Sequence, residues 1–341
     1  MGKSNKRSGS KLKVKAITTK SGKRKYFYGH SMQEINKKIL DFEEKEEKGC
    51  KFKEVSEEWW ETAEPTLAYQ TRQGYTVALR RANEEFGEQY IKDIKAKNIN
   101  NYILKLASQG FAQKTVSNHK MVCKQIFDFA VMQEYCEYNP CYSVKLPKNL
   151  PKSIRPPATH EEEQKILLND EIWLFPYIAL LTGLRKGEIL ALQWKDIDFN
   201  ENIIHVTKSI YYEHNKPKIK APKTESGIRI VPLLDALKER LLKLENRHPD
   251  NFIICDEQGQ PISNKKYRWL YSKFRKENDI QSSAHRIRHS YATNAFESDV
   301  APKAIQEIIG HKQLSTTMNT YTHFRKKAFN KAKEQLNKNL K

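Results

Sequence analysis

The stretch HRIRHSYAT, from His285 to Thr293, places two histidines and two arginines within five residues. On a helix, His285, Arg288 and His289 fall at i, i+3 and i+4 and share one face. Cations crowded this closely repel, and are usually tolerated only with something negative among them. The identity of that anion decides the reading of the chain. His at i and i+4 matches the spacing of a helical zinc site. A hydrolytic zinc helix, however, carries Glu beside its first His; Arg286 stands there, and Arg286 and Arg288 would repel a divalent cation. A solvated basic face is the plain alternative. An anion-binding cluster fits better, because guanidinium offers a planar fork to phosphate oxygens.

The rest of the chain favours a polyanionic partner. It has 341 residues, 61 Lys and Arg against 41 Asp and Glu, and a net charge of +20. Such an excess points to DNA, RNA or an anionic membrane. Membrane is the weaker choice. The longest nearly apolar run, WLFPYIALLTGL (Trp173–Leu184), falls short of the ~20 residues a span requires, and the basic N-terminus has no apolar segment after it to make a signal peptide. Five cysteines (Cys50, Cys123, Cys136, Cys141 and Cys255), an odd number without a C-x-x-C pair, read as reduced thiols of a cytosolic protein.

Pattern divides the chain. Residues 1–30 hold ten Lys or Arg and no acid. Within them LKVKAITT alternates apolar and basic residues, SGK marks a turn and RKYFYGH reads as a second strand. A helix is expected from about Ser31, so residues 1–49 form a small basic sheet with one helix. Residues 51–146 read as all-helical, with helices closed near Gly87 and Gly110 and a third over Ala112–Tyr135. LPKNLPKSIRPP (Leu146–Pro157) carries four prolines and reads as an extended linker, 147–157, poor at packing. From Ala158 the pattern becomes mixed α/β, dominated by helix. Thr159 and Glu162 make a capping signature, NIIHVTKSI and IRIVPL read as strands, and LLDALKERLLKLE as an amphipathic helix. The fold class expected is multi-domain and mainly α, with small β elements.

Three further clusters carry chemistry. In TGLRKGEIL, Gly183 and Gly187 flank Arg185, and Glu188 is placed to orient it. In PKTESGIRIVPL, a strand end, a turn at Glu225–Gly227 and a second strand set Lys223 at a hairpin rim, although a lone lysine there more often serves solubility. In IIGHKQLSTTMNTYTHF, Gly310 ends one helix, Ser315 caps the next, and Tyr321 follows on a short helix where a lone tyrosine is usually a packing residue. The best carboxylate group, Asp196–Asp198, lies between a helix and a strand, where Asp is common for turn reasons. No third ligand accompanies it, so Mg²⁺-assisted chemistry is disfavoured.

Taken in order over roughly residues 175–325, TGLRKGE, the Lys223 hairpin, HRIRHS and GHKQLSTTMNTY resemble the tyrosine recombinase (phage integrase) family. The resemblance implies six catalytic residues: Arg185, Lys223, His285, Arg288, His311 and Tyr321. It implies no cofactor and no metal. It also implies a small arm-type DNA-binding domain at 1–49, a helical (SAM-like) core-site-binding domain at 51–146, and an α/β catalytic domain with a C-terminal tail helix at 158–341. The expected activity is site-specific recombination of double-stranded DNA at attachment sites through a 3′-phosphotyrosine, integrating and excising a phage or other mobile element. The protein is then expected in the cytoplasm at the nucleoid, as a homo-tetramer on DNA, with an excisionase as its directionality partner. The rival expectations are a type IB topoisomerase-like enzyme and a DNA-binding regulator without catalysis. His289 lies outside the usual set, and a supporting or packing role is expected for it.

Overall fold

The structure, a computed structural model, describes residues 12–19, 22–152, 156–168, 173–221, 227–245 and 247–310. Contacts divide the chain into two compact units, Met1–Ser153 and Ile154–Lys341.

The first unit opens with the basic sheet. Strands β1 (Lys13–Thr18) and β2 (Arg24–Gly29) pair antiparallel, with Val14 opposite Tyr28 and Ala16 opposite Tyr26. Helix α1 (Met32–Lys48) starts where expected. The Ser31 hydroxyl accepts from the Glu34 N–H at 3.1 Å and the Glu34 carboxylate accepts from the His30 N–H at 2.8 Å, a reciprocal cap. Ile35 and Ile39 on α1 are buried.

Four helices follow: α2 (Phe52–Ala63), α3 (Tyr69–Phe86), α4 (Ala96–Ser108) and α5 (Gln113–Met132). Their apolar stripes converge on Phe52, Phe86, Ile103, Ile126 and Phe127, all nearly fully buried. Each such side chain contributes about 1.5–3 kcal/mol relative to exposure. The proline-rich segment departs from expectation. Leu150 is buried in this helical core and the Pro151 carbonyl accepts from the Gln113 N–H at 2.8 Å. Leu150 stands between Pro147 and Pro151, and burying its apolar side chain outweighs the extension that the prolines favour.

In the second unit α6 (His160–Leu168) carries the expected cap: Thr159 N–H to Glu162 at 3.0 Å, Glu162 N–H to the Thr159 hydroxyl at 3.2 Å. Next come α7 (Leu174–Thr182) and the single turn α8 (Lys186–Ile189). Strands β3 (Ile197–Asp198), β4 (Ile203–Val206) and β7 (Arg229–Pro232) form one antiparallel sheet in the order β3-β4-β7; β5 (Ser209–Glu213) and β6 (Lys216–Lys220) form a separate hairpin. The NIIHVTKSI run is therefore two strands of two sheets, not one. The turn expected at Glu225–Gly227 lies mostly outside the described residues; of the strands on either side of it, β6 pairs back onto β5 and β7 pairs with β4. The reason is local. His214 and Asn215 both adopt positive φ, 44° and 71°, which gives β5-β6 a tight two-residue turn of its own.

Helices α9 (Asp235–Leu242), α10 (Asn264–Glu277), α11 (Ala284–Glu297) and α12 (Pro302–Ile309) complete the described part. Phe175, Ile178, Ile204, Val231, Leu237 and Ile287 lie in its core, and α11 packs on α7. Among the described residues no helix is long and apolar enough to cross a membrane, and no disulfide joins the cysteines.

Candidate active site

The site is built where three helix ends meet. Gly183 ends α7 in the left-handed conformation, φ 62°. A Cβ there would stand 2.5 Å from the Tyr291 ring, so both backbone and space call for glycine. The turn leaves Arg185 as the N-cap of α8 in extended conformation. Glu188 closes that cap, its carboxylate accepting from the Arg185 N–H at 2.7 Å and from Arg185 Nη1 at 2.9 Å. The orienting role expected of Glu188 is thus visible in the geometry.

Arg288 lies on the second turn of α11, buried. The start of that helix is anchored from α6. Glu162 accepts from the N–H groups of Gln281 and Ser282 at 2.6 and 2.9 Å. The Ser283 hydroxyl then caps the helix. Arg288 donates to the Gly183 carbonyl at 2.6 Å and to the Ile309 carbonyl at 2.8 Å, and stands 3.9 Å from Glu188. Burial, then the nearby Arg185 charge, bring its pKa down to about 9 while Glu188 opposes the fall. It remains cationic at neutral pH.

Sequence reasoning missed one member of the cluster. Arg229, at the start of β7, grips Glu188 with two parallel bonds, Nη1 to Oε1 at 3.1 Å and Nη2 to Oε2 at 2.9 Å. Its Nε donates to the Ile308 carbonyl at 2.6 Å. The signal was present: alternation places Arg229 on the same face of its strand as the buried Val231. A basic residue at a core-facing strand position has to find a partner.

One pattern follows. Helix α12 ends at Gly310, left-handed at φ 71°, and its final carbonyls lack intrahelical donors. Arg229 takes the Ile308 carbonyl, Arg288 that of Ile309, and Arg185 that of Gly310, the last at 2.6 Å. Three guanidiniums thus surround one carboxylate at the negative end of a helix. Burial pushes the Glu188 carboxyl up, but the bonds and charge of Arg229, then Arg185, bring it down to about 2. One carboxylate against three cations leaves an excess of positive charge.

His285 and His289 are brought together on α11, Nε2 to Nε2 2.9 Å, with rings 4.4 Å apart and nearly perpendicular. At that separation one nitrogen donates and the other accepts. Of the six predicted catalytic residues, the structure therefore gathers Arg185 and Arg288 around Glu188 and sets His285 on the helix of Arg288. Lys223, His311 and Tyr321 lie outside the described residues, as do Ser315 and the tail. His311 directly follows Gly310 in sequence. The Asp196–Asp198 pair has other partners: Asp196 binds Lys208 at 2.6 Å, and Asp198 accepts two turn N–H groups.

Residues 160–328 match the phage integrase family, and residues 52–146 match the phage integrase central domain. The chain is similar to a XerC-like tyrosine recombinase of Caldanaerobacter subterraneus subsp. tengcongensis, 31% identical over 75% of this chain and 74% of that protein. The chain belongs to the phage integrase family. It is a tyrosine recombinase, an enzyme of site-specific recombination. The ICEBs1 integrase of Bacillus subtilis is 30% identical over 79% of this chain and 77% of its own. A solved fragment of the Tn1549 transposon integrase, in complex with circular intermediate DNA, shares the fold: TM-score 0.69 at 22% identity, over 84% of this recombinase and all of that chain.

Proposed function

We propose that this recombinase cuts and rejoins double-stranded DNA at attachment sites through a covalent bond between Tyr321 and the 3′ phosphate, integrating and excising a mobile element. The observation that carries the proposal is the surplus of guanidinium charge around Glu188, at the end of the helix that precedes His311 in sequence. A scissile phosphate diester is an anion of the size and charge to use it.

Arg185 and Arg288 clamp the non-bridging oxygens and His311 adds a hydrogen bond. Fixed cations oppose the charge that builds on the phosphorane, and removing one such partner commonly costs ~10²–10³ in rate. Tyr321 attacks phosphorus; its P–O bond forms as the bond to the 5′ oxygen breaks. Lys223 gives that oxygen a proton, and His285 takes the phenol's. Because the ester is exchanged and not hydrolysed, rejoining needs no ATP. His289 holds the His285 ring. No metal takes part in this scheme.

The first 49 residues serve as an arm-type DNA-binding domain, 51–146 as the core-site domain and 158–341 as the catalytic domain. Exchange between two duplexes breaks four strands; with one nucleophilic tyrosine per chain, four protomers assemble on the DNA. An excisionase sets direction. The XerC-like recombinase and the ICEBs1 integrase support a recombining enzyme over a silent DNA binder. The test is Tyr321→Phe with a nicked suicide duplex. The variant binds as wild type and yields no covalent adduct; adduct formed by the variant would refute the assignment.

A further inference from the structure

We infer that Arg229 is a positioning residue for strand cleavage, locking the Arg185–Glu188 pair to the end of α12. The inference rests on the active-site reading above and adds a member outside its six residues.

The geometry singles Arg229 out among the three arginines. Each Glu188 oxygen is shared: Oε1 accepts from Arg185 Nη1 and Arg229 Nη1, Oε2 from the Arg185 N–H and Arg229 Nη2. Glu188 alone could rotate about its terminal torsion, and a second, bidentate grip from a different element removes that freedom. The third donor, Nε, holds Ile308, two residues before Gly310. Gly310 lies so close that a Cβ there would stand 3.2 Å from the Arg229 guanidinium. Strand β7 thereby fixes α8, which carries Arg185, and the chain entering His311. The Arg229 side chain is as buried as that of Arg288, and all three of its side-chain nitrogens donate to these two elements. It organises the groups that would touch phosphate without facing the phosphate itself.

Lysine cannot reproduce this, having one point of charge where three bonds are made in two directions. Methionine leaves the Glu188 carboxylate with fewer donors. Its pKa then rises, so cleavage by Arg229→Met should fall more steeply with pH than cleavage by wild type, whose own acid limb comes from His285. A purely structural role for Arg229 would not steepen the profile.

The experiment measures single-turnover cleavage of a suicide duplex at saturating DNA by the full chain. Wild type, Arg229→Lys, Arg229→Met, Glu188→Gln and the double variant Arg229→Met/Glu188→Gln are compared. The double variant removes both buried charges together and so protects the test against misfolding of the single variant. DNA affinity and thermal melting are recorded for each. The expected result is a ~10- to 100-fold slower cleavage for Arg229→Met and Arg229→Lys, with DNA affinity within about threefold. In the Glu188→Gln background the further loss from Arg229→Met shrinks to under about threefold and the added steepness with pH vanishes, since coupled partners are not additive. Equal fold-losses in both backgrounds, or a folded Arg229→Lys cleaving as fast as wild type, would overturn the inference. A wild-type chain that forms no adduct at all would overturn the active-site reading, and this inference with it.

Discussion

Glu188 gives the sharpest quantitative prediction. Replacing it with Gln removes the one negative charge among Arg185, Arg229 and Arg288, at 2.9, 2.9 and 3.9 Å. The carboxyl sits at about 2 against an ordinary 4.5. That difference corresponds to roughly 3 kcal/mol of folding stability held by the ionised form. The carboxylate is almost fully buried, so little is lost to solvent screening. The sign follows from a folded pKa below the unfolded one. The contribution is fully present above pH 4.5 and is lost as pH falls toward 2. Urea unfolding of the full chain, resolved by hydrogen exchange on peptides from α7 to α8, should therefore show a wild-type advantage of roughly 3 kcal/mol at pH 7. The advantage should narrow steadily from pH 4.5 to 3. A gap under about 1 kcal/mol at pH 7, or one unchanged between pH 5 and pH 3, would refute this account of the cluster.

Three other predictions follow. Gly183→Ala forces a side chain into positive φ and against the Tyr291 ring, and it moves the carbonyl that holds Arg288. Thermal melting should show a loss of ~1–3 kcal/mol, and cleavage should slow by more than DNA binding weakens. Lys186 lies over the Tyr267 ring at 3.7 Å; burial, then Arg268, lower its pKa to about 8. Its folded pKa is below the unfolded value, so stability should rise with pH from about 8 toward 10.5, and Lys186→Met should lose that slope in a pH series of urea melts. Truncation after Phe324 should reduce assembly of paired duplexes, seen by gel shift, more than binding to one site; unchanged assembly would remove the tail from the mechanism.

Much of this architecture could be read from pattern. Alternation announced β1 and β2, the Thr159–Glu162 signature announced α6, and TGLRKGE already contained both the left-handed turn and the Arg185–Glu188 cap. These features depend on residues within four positions of each other. What escaped depends on distance along the chain. Arg229 meets Glu188 across 41 residues and Ile308 across 79, and no local period encodes either meeting. The pairing of β7 with β4 is likewise long-range, although a local cue, the tight turn at His214–Asn215, commits β6 to β5. The proline-rich segment misled only on packing: proline content argues for extension, but Leu150 supplied enough apolar surface to dock, and the boundary between the two units still falls within 147–157. The gathering of Arg185 and Arg288 was expected from resemblance; the α12 carbonyls that hold them were not.

The most direct measurement is the chemistry of the covalent adduct. A suicide duplex is cleaved by wild-type protein in excess EDTA, digested with trypsin and analysed by mass spectrometry. The account predicts a nucleotide joined through its 3′ phosphate to Tyr321, a free 5′-hydroxyl on the released strand, and an undiminished yield without metal. Linkage to another residue, a 5′-phosphate bond, or cleavage that returns only with Mg²⁺ would contradict it.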